Sequence, residues 1–187
     1  MPAVSTNDLK KGMSLNLSDG LFQVVDFQHV KPGKGGAFVR TTLRNMRNGA
    51  SQDRTFRADE KLDQAMIDKR DMQYLYRDGD DFVFMDNESY EQLTVAPTAL
   101  AGAAHYIVDG STVTLQMYGE EIVGSELPAA VELTISETEP GVQGDRVSGA
   151  RKAATLETGL VLQVPLFVNP GDRVKVDTRS GDYITRA

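Results

Sequence analysis

Lys34 is the residue best placed to do chemistry on something outside the chain. It lies at the centre of KPGKGG, Lys31 to Gly36. Pro32 fixes one backbone angle, and Gly33, Gly35 and Gly36 permit positive φ and carry no side chain, so the segment predicts a thin tip with one long cation projecting from it. An ammonium in that setting is suited to charge-assisted hydrogen bonds with phosphate. A lone tip lysine can also serve solubility only, but from Lys31 to Arg57 the cations Lys31, Lys34, Arg40, Arg44, Arg47, Arg54 and Arg57 face a single acid, Asp53, in a chain of net charge -7. That local reversal of sign points to a polyanion contact.

No catalytic constellation competes with this reading, and the chain is expected not to be an enzyme. The Gly33-Lys34 pair fails the phosphate-loop pattern, because Gln28 stands five residues before Gly33 and Gly35 follows the lysine. Phe38 occupies the last position of a would-be G-x-G-x-x-G, and no serine sits in a G-x-S-x-G elbow. With no cysteine and only His29 and His105, cysteine nucleophiles, disulfides and a histidine metal cluster are excluded. Asp78, Asp80, Asp81, Asp86, Glu88 and Glu91 do not fit the twelve-residue calcium loop. No cofactor or metal is expected.

The elements that would position the tip read as strands. Leu21 to Val30 is rich in β-branched and aromatic residues, and Ala37 to Arg44 alternates Ala37, Val39, Thr41, Leu43 against Phe38, Arg40, Thr42, Arg44, which makes a hairpin with Lys34 at its turn. Met13 to Leu17 and Ser51 to Arg57 complete a small barrel over residues 1–64, and Asp59 to Lys69 is expected to be a connector with one helical turn. Residues 65–128 carry a second hairpin with Met72, Tyr74 and Tyr76 on one face, a short helix over Ala96 to Ala104, and strands Thr112 to Tyr118 and Glu120 to Val123 about Gly119. Residues 129–187 carry strands at Val131 to Ser136, Leu160 to Val168 and Arg173 to Thr178, with a long loop from Glu139 to Gly159 and a last hairpin at Ser180 and Gly181. Short strands with frequent turn signals indicate an all-β chain of three small barrels, the last two similar in length.

Charge follows the same division: residues 1–64 carry +3, residues 65–128 carry -9 and residues 129–187 carry -1. A basic first segment and an acidic second one suit RNA at one end and, at the other, solvent or a basic protein. The N-terminus MPAVSTNDLKKG lacks the apolar core of a signal peptide. No apolar run approaches the roughly 18 residues of a membrane span, so a cytoplasmic location with no membrane partner is expected.

HVKPGKGGAFVR, His29 to Arg40, and YLYRDGDDFVFMD, Tyr74 to Asp86, resemble segments of bacterial translation elongation factor P, and the resemblance extends over essentially the whole chain. Its most specific part lies in the last segment, where Lys152, Ala154, Gly159, Leu162, Val164, Pro165, Val168 and Gly171 fit K-x-A-x4-G-x2-[LIV]-x-V-P-x2-[LIV]-x2-G at every fixed position. The resemblance implies an L-shaped, tRNA-like arrangement of an SH3-like, KOW-type barrel and two OB-folds. It implies binding to the ribosome between peptidyl and exit sites, and stimulation of peptide-bond formation at consecutive prolines through Lys34, which would position the acceptor end of peptidyl-tRNA. His29, Lys31, Pro32, Gly33, Gly35, Arg40 and Arg54 are then expected to contact tRNA or ribosomal RNA, and Gly144, Asp145, Tyr183 and Arg186 the anticodon side. Arg146 departs from the threonine often found after that Gly-Asp pair. A ribosomal stalk protein facing the acidic segment and an enzyme modifying Lys34 are further partners it implies. The rival reading is a general single-stranded RNA-binding or RNA-chaperone protein, which would need an aromatic platform from Phe22, Phe27, Phe38 and Phe56.

Overall fold

Alternation of apolar and polar residues at period two builds nearly everything in this chain. A computed structural model describes residues 2–141 and 149–187. In order, the chain forms strands β1 (Ala3–Ser5), β2 (Ser14–Leu17), β3 (Gly20–Val30), β4 (Phe38–Asn45), β5 (Ser51–Arg57) and β6 (Lys61–Asp63). There follow β7 (Asp68–Asp78), β8 (Asp81–Asp86), β9 (Gln92–Val95), helix α1 (Pro97–Leu100) with a 3-10 turn over Ala101–Tyr106, β10 (Thr112–Tyr118) and β11 (Glu121–Glu126). The last group is β12 (Ala130–Thr138), β13 (Arg151–Leu156), β14 (Val161–Pro165), β15 (Arg173–Asp177) and β16 (Tyr183–Arg186). The fold is all-β, as its sequence leads one to expect. Among the described residues no helix is long and apolar enough to cross a membrane.

The chain gathers into two compact units, Met1–Lys69 with Gln116–Gly124, and Arg70–Leu115 with Ser125–Ala187. In the first, β2, β3, β4 and β5 form an antiparallel meander, and β1 pairs with β6. Val39, Thr41 and Leu43 of β4 point into a core with Val4, Leu9, Leu15, Phe22, Val24, Phe56 and Leu62. The buried Thr41 hydroxyl is satisfied by donating to the Arg54 carbonyl at 2.6 Å, so the core holds a polar group without the penalty of leaving it unpaired. Asp59 to Lys69 departs from its expected helical turn. It contributes β6, whose Leu62 lies opposite Val4, and the start of β7. Pairing with a strand about sixty residues earlier overrides the local preference of a charged segment.

In the second sheet the order is β11-β10-β7-β8-β9, and in the third β14-β13-β12-β15-β16, with β14 approaching β16 as the sheet curls. Two sequence expectations are corrected here. A bulge shifts the β7–β8 register between Tyr74 and Tyr76, so Met72 and Tyr74 are buried while Tyr76, expected on their face, is 52% exposed. The expected long loop after Glu139 contains β13, whose inward positions Lys152, Ala154 and Leu156 pack the third core with Leu133, Ile135, Leu162, Val164, Val168, Val174 and Val176.

Candidate nucleic-acid interface

The ladder between β3 and β4 ends at the pair Val30 and Phe38, leaving Lys31 to Ala37 as a seven-residue tip. Lys31 and Gly33 to Gly36 are exposed, while Pro32 and Ala37 are partly covered. A Cβ built on Gly33, Gly35 or Gly36 would meet nothing within 4 Å, so the glycine part of the tip faces open space, while at its base the Ala37 carbonyl accepts from the Ala58 amide at 3.1 Å. Of these three glycines, only Gly35 takes up positive φ, at +102°. It alone therefore requires glycine for backbone reasons. Beneath the tip, His29 is exposed and meets the half-buried Phe27 edge to face, with ring centroids 5.6 Å apart.

Register decides which cations share a surface, because residues directly paired across strands project to the same side. Val30, Phe38 and Arg57 form one row, followed by Gln28, Arg40 and Thr55, then Asp26, Thr42 and Asp53, then Gln23, Arg44 and Ser51. The outer face of the sheet thus carries Arg57 and Arg40 next to the tip and two carboxylates below them. Lys11, 3.2 Å from Asp26, holds that carboxyl below its ordinary range, and Asp53 accepts from the Thr42 hydroxyl at 3.0 Å. Arg44 donates to Gln23 at 2.6 Å.

The seven cations read as one cluster in the sequence are therefore not one face. Arg54 lies opposite Thr41, on the core side of the sheet, where its guanidinium grips Asp19 at 2.6 and 3.0 Å and covers the Phe22 ring at 5.2 Å. The hydrogen bond from Arg54 holds the Asp19 carboxyl low. Arg47 makes the same bidentate grip on Glu121 at 2.9 and 3.0 Å, and its hydrogen bond lowers that carboxyl too. What remains is Lys31, Lys34, Arg40, Arg44 and Arg57, which have no ion pair among the described residues; of these, Arg44 is engaged by Gln23, which leaves Lys31, Lys34, Arg40 and Arg57. Arg57 is not among the contacts that the resemblance implies, although counting back through the Asn48-Gly49 turn places it at the tip end of its strand.

An aromatic platform is missing from this sheet. Phe22 and Phe56 are buried in the core, and Phe27 and Phe38 are half-buried, which removes the surface on which sequence-tolerant base stacking would rest.

At the far end of the chain, Gly144, Asp145 and Arg146 lie outside the described residues. Tyr183 and Arg186 are on β16, an edge strand, three positions apart, a spacing that in a regular strand points side chains to opposite sides. A register shift places Tyr183 opposite Val176 and Arg186 opposite Val174, and so returns both to one side. Arg186 reaches Asp172 at 4.0 Å and lies 5.6 Å from the centroid of the exposed Phe167 ring. The signature that carries the strongest resemblance is architectural. Ala154, Leu162, Val164 and Val168 are core residues, Gly159 and Gly171 have positive φ, and Lys152, 9% exposed, donates from Nζ to the Glu139 carbonyl.

Models of three domain families match the chain: Elongation factor P KOW-like domain over 5–62, Elongation factor P OB domain over 67–125, and Elongation factor P, C-terminal, over 131–186. Among curated proteins, Elongation factor P of Parafrankia sp. (strain EAN1pec) is 57% identical over 182 residues, covering 97% of each chain. That of Frankia casuarinae is 56% identical over 182 residues, with the same coverage. Among solved structures, eukaryotic translation initiation factor 5A from Methanococcus jannaschii is 25% identical with a TM-score of 0.54, covering 68% of this chain and 92% of that one. A translation initiation factor eif-5a family protein from Naegleria fowleri, 16% identical with a TM-score of 0.54, covers 67% of this chain and 98% of its own and shares the fold.

Proposed function

The chain belongs to the elongation factor P family of translation factors, and from that premise we propose that it binds the ribosome between the peptidyl and exit sites and speeds peptide-bond formation at consecutive prolines through Lys34. The observation that carries this is the tip itself: an exposed lysine on a seven-residue loop whose glycines face open space. Such a loop fits a narrow RNA cavity without rearranging its own barrel. Phosphate contacts from Lys31, Arg40 and Arg57 would fix its position, with His29, Pro32, Gly33 and Gly35 lining the approach to tRNA and ribosomal RNA. Arg54, already gripping Asp19, contributes to the barrel and only indirectly to that contact.

Proline is a poor nucleophile in a constrained geometry, so the stalled step is limited by orientation. An ammonium that hydrogen-bonds the acceptor end of peptidyl-tRNA lowers the entropy still to be lost on reaching the transition state, while the ribosome performs the chemistry. No group in the factor needs to take or give a proton, and the reading is of a positioning protein, not an enzyme. The third segment, with Tyr183 and Arg186 brought to one side of β16, would face the anticodon side, together with Gly144 and Asp145. A stalk protein is the partner whose charge suits the acidic middle segment, and the freedom of the tip suits an enzyme that lengthens Lys34.

The test is peptide-bond formation in a purified translation system on a Pro-Pro-Pro template and on a control, with wild type and Lys34→Ala. Wild type should accelerate the proline template alone, and the variant neither. Equal stimulation by both proteins removes Lys34 from the mechanism. Stimulation only after treatment with a cell extract identifies a required modification.

A further inference from the structure

One large apolar residue is turned outward where its neighbours are turned in. At the end of β14 and in the run that follows it, Val164 and Val168 are fully buried, yet Phe167 between them is 57% exposed. The third core is complete without it. Its ring carries the Arg186 guanidinium at 5.6 Å, and Ile184, the residue skipped by the β16 register shift, is 48% exposed on the same edge strand. A second exposed cation, Arg151, pairs in the ladder with Pro165, two residues before Phe167. Asp172 lies 4.0 Å from the Arg186 guanidinium.

We propose that Phe167 and Arg186 form a stacking seat for one unpaired nucleobase of RNA at the open end of the third sheet. An aromatic face beside a guanidinium plane is the pairing that single-stranded nucleic acid exploits: the base stacks, and the cation answers the adjacent phosphate. A purely apolar protein partner would offer the exposed Arg186 guanidinium no acceptor beyond Asp172 at 4.0 Å, whereas an RNA strand supplies one phosphate per nucleotide. The first sheet cannot offer such a seat, because its phenylalanines are buried or half-buried. The inference rests on the proposed function, which already turns Arg186 toward RNA on the anticodon side; what it adds is Phe167, with a contact made independently of Lys34.

Phe167 is exposed, so its replacement leaves the barrel intact. Affinity for ribosomes carrying messenger and peptidyl-tRNA should fall in the order Phe167→Trp, wild type, Phe167→Leu, Phe167→Ala, with the aliphatic variants weaker by on the order of tenfold. The chain contains no tryptophan, so full-length Phe167→Trp is a single-fluorophore reporter. A short single-stranded RNA should quench it, and an abasic oligomer of the same length should not. Leucine binding as tightly as phenylalanine would overturn the proposal in favour of an apolar protein contact, and a flat series would overturn it outright. Self-association of the wild type that Phe167→Ala abolishes would assign the patch to a second copy and overturn it as well. Proline stimulation at saturating factor should depend on Lys34 and not on Phe167, so a failure at one end of the chain is distinguishable from a failure at the other.

Discussion

Lys34 stands between glycines that face open space, whereas Lys152 is nine-tenths buried with its ammonium on the Glu139 carbonyl. Both lie in the two most recognisable motifs of the sequence. The longer and more specific motif turns out to describe a barrel: its apolar positions are core and its glycines make turns. The shorter, with three glycines and one proline, leaves a side chain free. Motif specificity therefore measures how tightly a fold constrains its residues, and the proposed function sits where that constraint is weakest.

The contrast is broken most directly by exchanging the assays. Lys34→Ala should lose roughly tenfold to a hundredfold in the proline step, the equivalent of about 1.4 to 3 kcal/mol for a charge-assisted hydrogen bond, with an unchanged urea midpoint. Lys152→Met should do the reverse. It keeps the stem but leaves a carbonyl without its donor, costing about 1–3 kcal/mol in urea unfolding while the folded fraction stimulates normally. A stability loss from Lys34→Ala would mean that the tip is part of the fold after all.

Within the tip, Gly35→Ala and Gly33→Ala sharpen the same contrast. Gly35 alone has positive φ, +102°, so an added Cβ distorts the loop at a cost of about 1–2 kcal/mol. This should appear as roughly a five- to thirtyfold loss of stimulation. Gly33→Ala meets open space and should be close to neutral in a binding titration.

Smaller effects separate the cations that are free from those that are engaged. If Lys31, Lys34, Arg40 and Arg57 meet phosphates, ribosome affinity should fall with salt at a log-log slope of about 3 to 4, and Arg40→Ala should reduce it by about 0.7 to 0.9. Arg47→Ala should leave the slope unchanged, because that guanidinium is already paired with Glu121. The smallest effect is on acid stability. Asp19 and Glu121 have carboxyls held low by Arg54 and Arg47. Their contribution is complete above the unfolded carboxylate range, near pH 4, and is lost as pH falls through the depressed folded values. Urea midpoints between pH 6 and 2.5 should therefore decline on the acid side, less steeply for Glu121→Gln.

Strands with large inward residues were legible. Val39 and Leu43 alternate with arginines, and both ends of Ser51–Arg57 could be read from the sequence. β13 was hidden because its inward positions include Lys152 and Ala154, a cation and a methyl where period-two reading looks for bulk. β6 was hidden because three residues, Lys61 to Asp63, carry one apolar side chain, and its partner β1 lies at the other end of the unit. Bulges defeat alternation outright: Tyr76 left the face of Tyr74, while Tyr183 and Arg186 gained a common one. The positions of cations along the sequence were plain, but their partners were not. Asp19 and Glu121 come from distant parts of the chain, and no local count of charge could subtract Arg54 and Arg47 from the cluster.

The open space around the tip glycines also has a thermodynamic consequence. Residues that share no contact contribute independently to folding free energy, so substitutions at Lys34 and in the first core should be additive in a double-mutant cycle. Side-chain length at position 34 is then a variable that can change without any compensating change in the barrel.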